Sequence, residues 1–103
     1  MSTGGDARRT ALVDEDDPAF LALLAQILDD EGFTTTAFDR GQPALAAVNE
    51  RHFDLLLVDQ WLPDLNGIQI CEAAHERYGD TAAVMMVTAD SRTDRHVTAL
   101  TTT

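Results

Sequence analysis

Four consecutive acids, Asp14, Glu15, Asp16 and Asp17, follow the strand-like run Thr10–Val13 and stop at Pro18. Two unit charges about 4 Å apart repel by roughly 4 kcal/mol at an effective dielectric near 20. A chain that crowds four of them needs a cation, or a separate job for some of them. A fifth acid, Asp59, closes a second apolar run, and a hydroxyl, Thr88, closes a third. Such oxygen donors suit a hard cation like Mg²⁺, which keeps several waters and takes one or two carboxylates plus phosphate oxygens. A cation between carboxylates and an incoming phosphoryl group points to phosphoryl transfer, where catalysis is mainly positioning and charge neutralisation. A carboxylate can then be the nucleophile, giving an acyl phosphate.

The elements that must position these groups are legible along the chain. Thr10–Val13 reads as a short buried strand. Pro18 favours a first helical position with Asp17 as its N-cap, and Phe20, Leu23, Leu24, Ile27 and Leu28 recur at helical spacing up to the stop signal Gly32. Phe33–Phe38 is rich in β-branched and aromatic residues and predicts a second strand. Gly41, Gln42 and Pro43 open a second helix, with Leu45 and Val48 facing inward, that ends near Arg51. Leu55–Val58 is a continuous apolar run, the pattern of a strand buried on both faces. After the loop 60–66, residues 68–78 predict a helix with Cys71, Ala74 and Tyr78 on one side. Ala82–Val87 predicts a fourth strand, and Asp90–Leu100 a polar, weakly helical tail. This alternation predicts an α/β fold: a doubly wound parallel sheet between helical layers, with chemistry at the carboxyl ends of its strands.

Composition sets limits on function. The 103 residues make one domain, with residues 1–8 expected as a flexible N-terminal segment. The formal net charge is -11, and all seven basic residues are arginines. That balance argues against direct nucleic-acid binding by this domain, because phosphate backbones need cations, and for a metal or a basic partner surface. Cys71 is the only cysteine, so no intrachain disulfide can form. No apolar run approaches the roughly 20 residues needed to span a bilayer, and the first ten residues lack a signal-peptide core. A cytoplasmic protein without membrane contact is expected. His52, His75 and His96 show no ligand spacing and read as surface residues.

The segments "VDEDDPAF" at 13–20, "DLLLVDQWLPDLNG" at 54–67 and "VMMVTA" at 84–89 together resemble the receiver domain of bacterial two-component response regulators. The resemblance implies a three-layer α/β/α, flavodoxin-like fold and a phosphoacceptor, with at most self-catalysed phosphorylation and dephosphorylation. It implies that Asp59 accepts a phosphoryl group from a sensor histidine kinase or phosphotransfer protein. It further implies that Mg²⁺ is held by two acids after the first strand, by Asp59, and by the backbone carbonyl of Trp61. Thr88 matches the switch hydroxyl and Ala89 the small residue beside it. Counting back from Pro18, with Asp17 as the cap, the acid pair is Glu15 and Asp16. The rival register pairs Asp14 with Glu15; otherwise Asp14 is a strand-end carboxylate facing solvent or the mouth of the site.

The chain departs from the family pattern at its far end. It carries no lysine for the family's phosphoryl contact, no aromatic after Tyr78, and four of the usual five strands. An absent fifth strand predicts an unpaired sheet edge, and with it either reduced stability or a homodimer that covers the gap. Two other functions compete. One is a pseudo-receiver that is never phosphorylated and acts as a protein-interaction module. The other is a haloacid-dehalogenase-like phosphatase built on Asp14, Asp16 and Thr88, which Pro18, the missing lysine and the short chain oppose.

Overall fold

The computed structural model describes residues 8–89 and 95–100, with Thr88, Ala89 and 95–100 described by their backbone alone. Eight main elements follow one another: β1 (Thr10–Asp14), α1 (Pro18–Asp30), β2 (Thr34–Phe38), α2 (Gly41–Glu50), β3 (Leu55–Asp59), α3 (Ile68–Tyr78), β4 (Ala83–Ala89) and β5 (Arg95–Leu100), with a short 3-10 turn at Gly79–Thr81. The sheet order is β2-β1-β3-β4-β5. The first four strands are mutually parallel, as the alternation of strands and helices requires. The order reverses between β1 and β3, and there the carboxyl ends open between helices on opposite faces.

The strand pleat divides the core. Leu12, Leu56, Val58, Val84 and Met86 face α2 and α3, where they pack with Ala44, Ala47, Val48, Ile70, Cys71, Ala74 and Tyr78. Ala11, Val13 and Leu57 face the other way, toward Leu28, Leu21 and Leu24 of α1. At α1 the helical spacing overstates burial. Leu23 and Ile27 are 53% and 47% exposed, because the helix lies on the sheet through the 21–24–28 stripe and the neighbouring stripe is left uncovered by the described residues.

The ends of α1 obey the local signals. Asp17 accepts from the amides of Ala19 (3.0 Å) and Phe20 (3.5 Å), with Pro18 in the first turn. Gly32, at φ 96°, lets its own amide reach Asp29 and that of Phe33 reach Leu28, both at 3.0 Å, closing the helix.

The tail differs from expectation. Arg95–Leu100 is not helical but a strand, antiparallel to β4 from Ala89↔Arg95 to Val84↔Leu100. A short polar helix is marginal on its own, whereas pairing here satisfies the backbone edge that β4 would otherwise expose. The edge expected to be bare is therefore covered within the chain. Residues 1–7, 90–94 and 101–103, including the expected flexible segment and Asp90, lie outside the described residues.

Candidate functional site

The apolar run of β1 carries the chain to the carboxyl edge and leaves it with its acids at the β1/β3 switch point. The Glu15 amide still donates to the Phe38 carbonyl (3.0 Å), so Glu15 remains tied to β2. Its carboxylate accepts from the Asp17 amide at 2.9 Å. Thus the residue that caps α1 also holds Glu15 in place. Glu15 is fully buried and Asp16 is exposed.

Asp59 ends β3 at 2% exposure, and its Oδ1 accepts from the Trp61 amide at 3.1 Å. The following loop is closed by three backbone contacts: Gln60 amide to Val87 carbonyl (3.0 Å), Gly67 amide to Gln60 carbonyl (2.8 Å), and a bridge between Trp61 and Asn66. Gly67 is required by close approach. A Cβ there would collide with the carbonyl oxygen of Asp59 and stand 2.8 Å from Val58 Cγ1. The Trp61 indole, 59% exposed, stands beside the site on the surface.

Glu15, Asp16 and Asp59 each offer a carboxylate oxygen within 4.8 Å of the others. Three oxygen donors at that spacing, two buried and one open to solvent, fit a hard cation that keeps part of its water. Asp14 is not in this group. It is 1% exposed, which rules out the solvent-facing alternative, and both its oxygens are buried without a hydrogen-bond partner among the described residues. The pleat explains this: Asp14 alternates with Leu12 and so points to the face that α2 and α3 cover. Burial pushes its carboxyl up to about 8, and the charges of Asp64, Asp39, Asp59 and Glu15 add to the shift in that order.

Sequence reasoning missed Asp64. The position before α2, Arg40, supplies no side-chain cap. Asp64 reaches across from the β3–α3 loop and accepts from the amides of Gly41 (2.6 Å) and Gln42 (2.8 Å). These amides hold its carboxyl below the usual range. The missing local cap was the available signal, but it did not say which residue would supply one. Thr88 lies at the end of β4, paired through its backbone with His96; the side-chain roles expected for Thr88 and Ala89 fall outside the described residues. His52 and His75 are exposed, as expected, and His52 contacts the Thr81 hydroxyl (2.9 Å) and the Asp54 carboxylate (3.6 Å).

Comparison with known proteins identifies the family and the fold. Residues 11–103 match the response regulator receiver domain family. The chain is 38% identical over 86 residues to the DNA-binding response regulator MtrA of Mycolicibacterium smegmatis, covering 84% of this chain and 37% of that protein. It is 34% identical over 84 residues to the transcriptional regulatory protein TcrA of Mycobacterium tuberculosis, covering 82% and 33%. It therefore spans about a third of the length of these curated relatives. Among solved structures it resembles a CheY-like receiver domain protein from Methanospirillum hungatei (TM-score 0.74, 32% identity, 82% of this chain and 67% of that one). It also resembles the response regulator TrrA of Thermotoga maritima, solved with Mg²⁺ and BeF (TM-score 0.71, 26% identity, 81% and 71%). The chain belongs to the receiver domain family of two-component response regulators. Among its described residues no helix is long and apolar enough to cross a membrane.

Proposed function

We propose that this receiver domain accepts a phosphoryl group on Asp59 from a sensor histidine kinase or phosphotransfer protein, and that Mg²⁺ bound by Glu15, Asp16 and Asp59 is required. The observation that carries this reading is the convergence of those three carboxylates within 4.8 Å at the switch point of the sheet. Three acids so close are repulsive without a cation.

Each residue has a task. The second Asp59 oxygen is the nucleophile: it forms the new P–O bond as the P–N bond to the donor imidazole breaks, and the imidazole nitrogen keeps the electron pair. The Trp61 amide on Oδ1 orients the carboxylate. Glu15, held by the Asp17 amide, and Asp16 supply the remaining protein oxygens, and the Trp61 carbonyl is the fourth candidate. The bound cation supplies neutralisation of the phosphoryl charge. Thr88 is proposed as the hydroxyl that turns toward the modified Asp59 and carries the signal to β4. The domain transduces rather than turning over a substrate, works in the cytoplasm, and makes no direct contact with nucleic acid. The dehalogenase-like alternative needs Asp14 as nucleophile, yet Asp14 stands apart from the three-acid group.

The test is incubation with Mg²⁺ and a small phosphodonor, or with beryllofluoride, for the native chain and Asp59→Ala. The expected result is a base-labile phosphoprotein with the phosphodonor and a beryllofluoride adduct with the other reagent, neither of which the variant forms. Mg²⁺ binding without any phosphorylation would favour the pseudo-receiver.

A further inference from the structure

Asp64 is the only acid of the loop 60–67. Both oxygens of its side chain are taken by another element: Oδ1 accepts from the Gly41 amide at 2.6 Å and Oδ2 from the Gln42 amide at 2.8 Å. A side-chain cap at Arg40 could serve the first turn of α2 locally, but none is made. The distant acid does what a local cap cannot: it ties the loop to the helix. Leu65 adds to the tie, because its side chain packs so closely on Gly41 that a Cβ there would collide with it. Asp64 and Leu65 belong to the tip of the loop, between Trp61 and Asn66, which are bridged to each other. Trp61 in turn donates its amide to Asp59 Oδ1 at 3.1 Å. On the other side of the clasp, only Asp39 and Arg40 separate Gly41 from Phe38, whose carbonyl accepts from the Glu15 amide at 3.0 Å. The clasp therefore closes a frame around the three-acid group, from Asp59 through the loop to α2, and from α2 through the end of β2 to Glu15.

We infer that Asp64 is a positioning residue for the Asp59 site: its clasp on Gly41 and Gln42 fixes the tip of the loop and, through the Trp61–Asn66 bridge, the Trp61 backbone against the Asp59 carboxylate. This rests on the function proposed above and names a further residue that serves it. Asp64 is not one of the three clustered acids; it acts through the backbone. In phosphoryl transfer the protein contributes mainly positioning and charge neutralisation, and a small misplacement of the reacting group costs rate out of proportion to the shift. A carboxylate that accepts from two amides at once fixes direction as well as distance. The Gln60 and Gly67 amides pin the base of the loop, and Asp64 pins its tip. Without the clasp the tip hinges on its base, and Trp61 sits at that hinge.

The test compares the native chain with Asp64→Ala, with Asp64→Asn, and with Asp64→Ala combined with Arg40→Ser, which gives the Gln42 amide a local cap. The readouts are stability in urea, the rate of phosphorylation by a small phosphodonor at saturating Mg²⁺, and hydrogen exchange at the Trp61 amide, the last two under conditions where the chains compared are folded. For Asp64→Ala we expect a lower urea midpoint, phosphorylation about tenfold slower and exchange at Trp61 about tenfold faster. Asp64→Asn, which keeps an acceptor but not the charge, should lie between it and the native chain. Adding Arg40→Ser should restore stability but neither the rate nor the exchange, and this double variant decides the matter if Asp64→Ala alone does not fold. Native rate and exchange in the folded Asp64→Ala chain, or their return with the local cap, overturn the inference and make Asp64 a helix cap only. Asp64→Asn as slow as Asp64→Ala also overturns it, since the charge and not the tie would then set the rate. A native chain that accepts no phosphoryl group overturns the function reading together with this one.

Discussion

Gly67 and Asp59 are packed so closely that the α-carbon of the first leaves no room for a methyl group beside the carbonyl oxygen of the second. The start of α3 is therefore pressed against the backbone that presents the Asp59 carboxylate. Gly67→Ala should push the two apart. Overpacking of this kind costs about 1–3 kcal/mol, read as a lower denaturation midpoint, and it should also slow phosphorylation by a small donor. A variant that melts and reacts like the native chain would contradict this packing account.

The four acids after β1 should separate by role. Glu15→Gln and Asp16→Asn are expected to weaken Mg²⁺ binding at least tenfold. Asp17→Ala should cost about 1 kcal/mol of stability through its lost cap, with a smaller effect on Mg²⁺ transmitted through the Asp17 amide that holds Glu15. Calorimetric titration beside urea denaturation distinguishes the two patterns. Mg²⁺ loss on Asp17→Ala as large as on Asp16→Asn would place the metal pair elsewhere.

Asp64 predicts a pH dependence. Its carboxyl is held below its ordinary value of 3.8 by the Gln42 and Gly41 amides, in that order. A carboxyl with a depressed folded pKa adds stability that is present above the unfolded value and lost as pH falls through the folded one. Asp64→Ala should therefore melt below the native chain at pH 7, and the gap should close as pH drops below about 4. A gap that persists unchanged at pH 2 would show that the clasp on α2 is not electrostatic.

Cys71 should be inert. Burial pushes its thiol up to about 11, with the charge of Glu72 adding, and the thiolate is the reactive form. Iodoacetamide at pH 8 should label it far more slowly in the native chain than in urea, followed by mass spectrometry. Equal rates would mean that the α2–α3 face opens readily.

The local sequence determined the parts whose cause is local. Apolar and β-branched runs located the four parallel strands and helical spacing the three helices, Asp17 and Pro18 began α1, and Gly32 ended it. The run from Asp59 to Gly67 marked the loop of the proposed phosphoacceptor, because its glycine and proline answer to backbone geometry within a few residues. The tertiary structure decided what depends on neighbours distant in sequence. Arg95–Leu100 is a strand because β4 offers an edge, not because its residues demand one. Leu23 and Ile27 stay exposed because nothing described covers that stripe of α1. Asp64 caps a helix that begins 23 residues earlier. Asp14, one more acid in a row of four, is set apart by the pleat, which turns it beneath α2 and α3 while Glu15 and Asp16 go to the cluster. Neighbours in sequence can face opposite sides of a sheet, and their charges then meet different surroundings; burial and long-range contact, not residue type, give each acid its role.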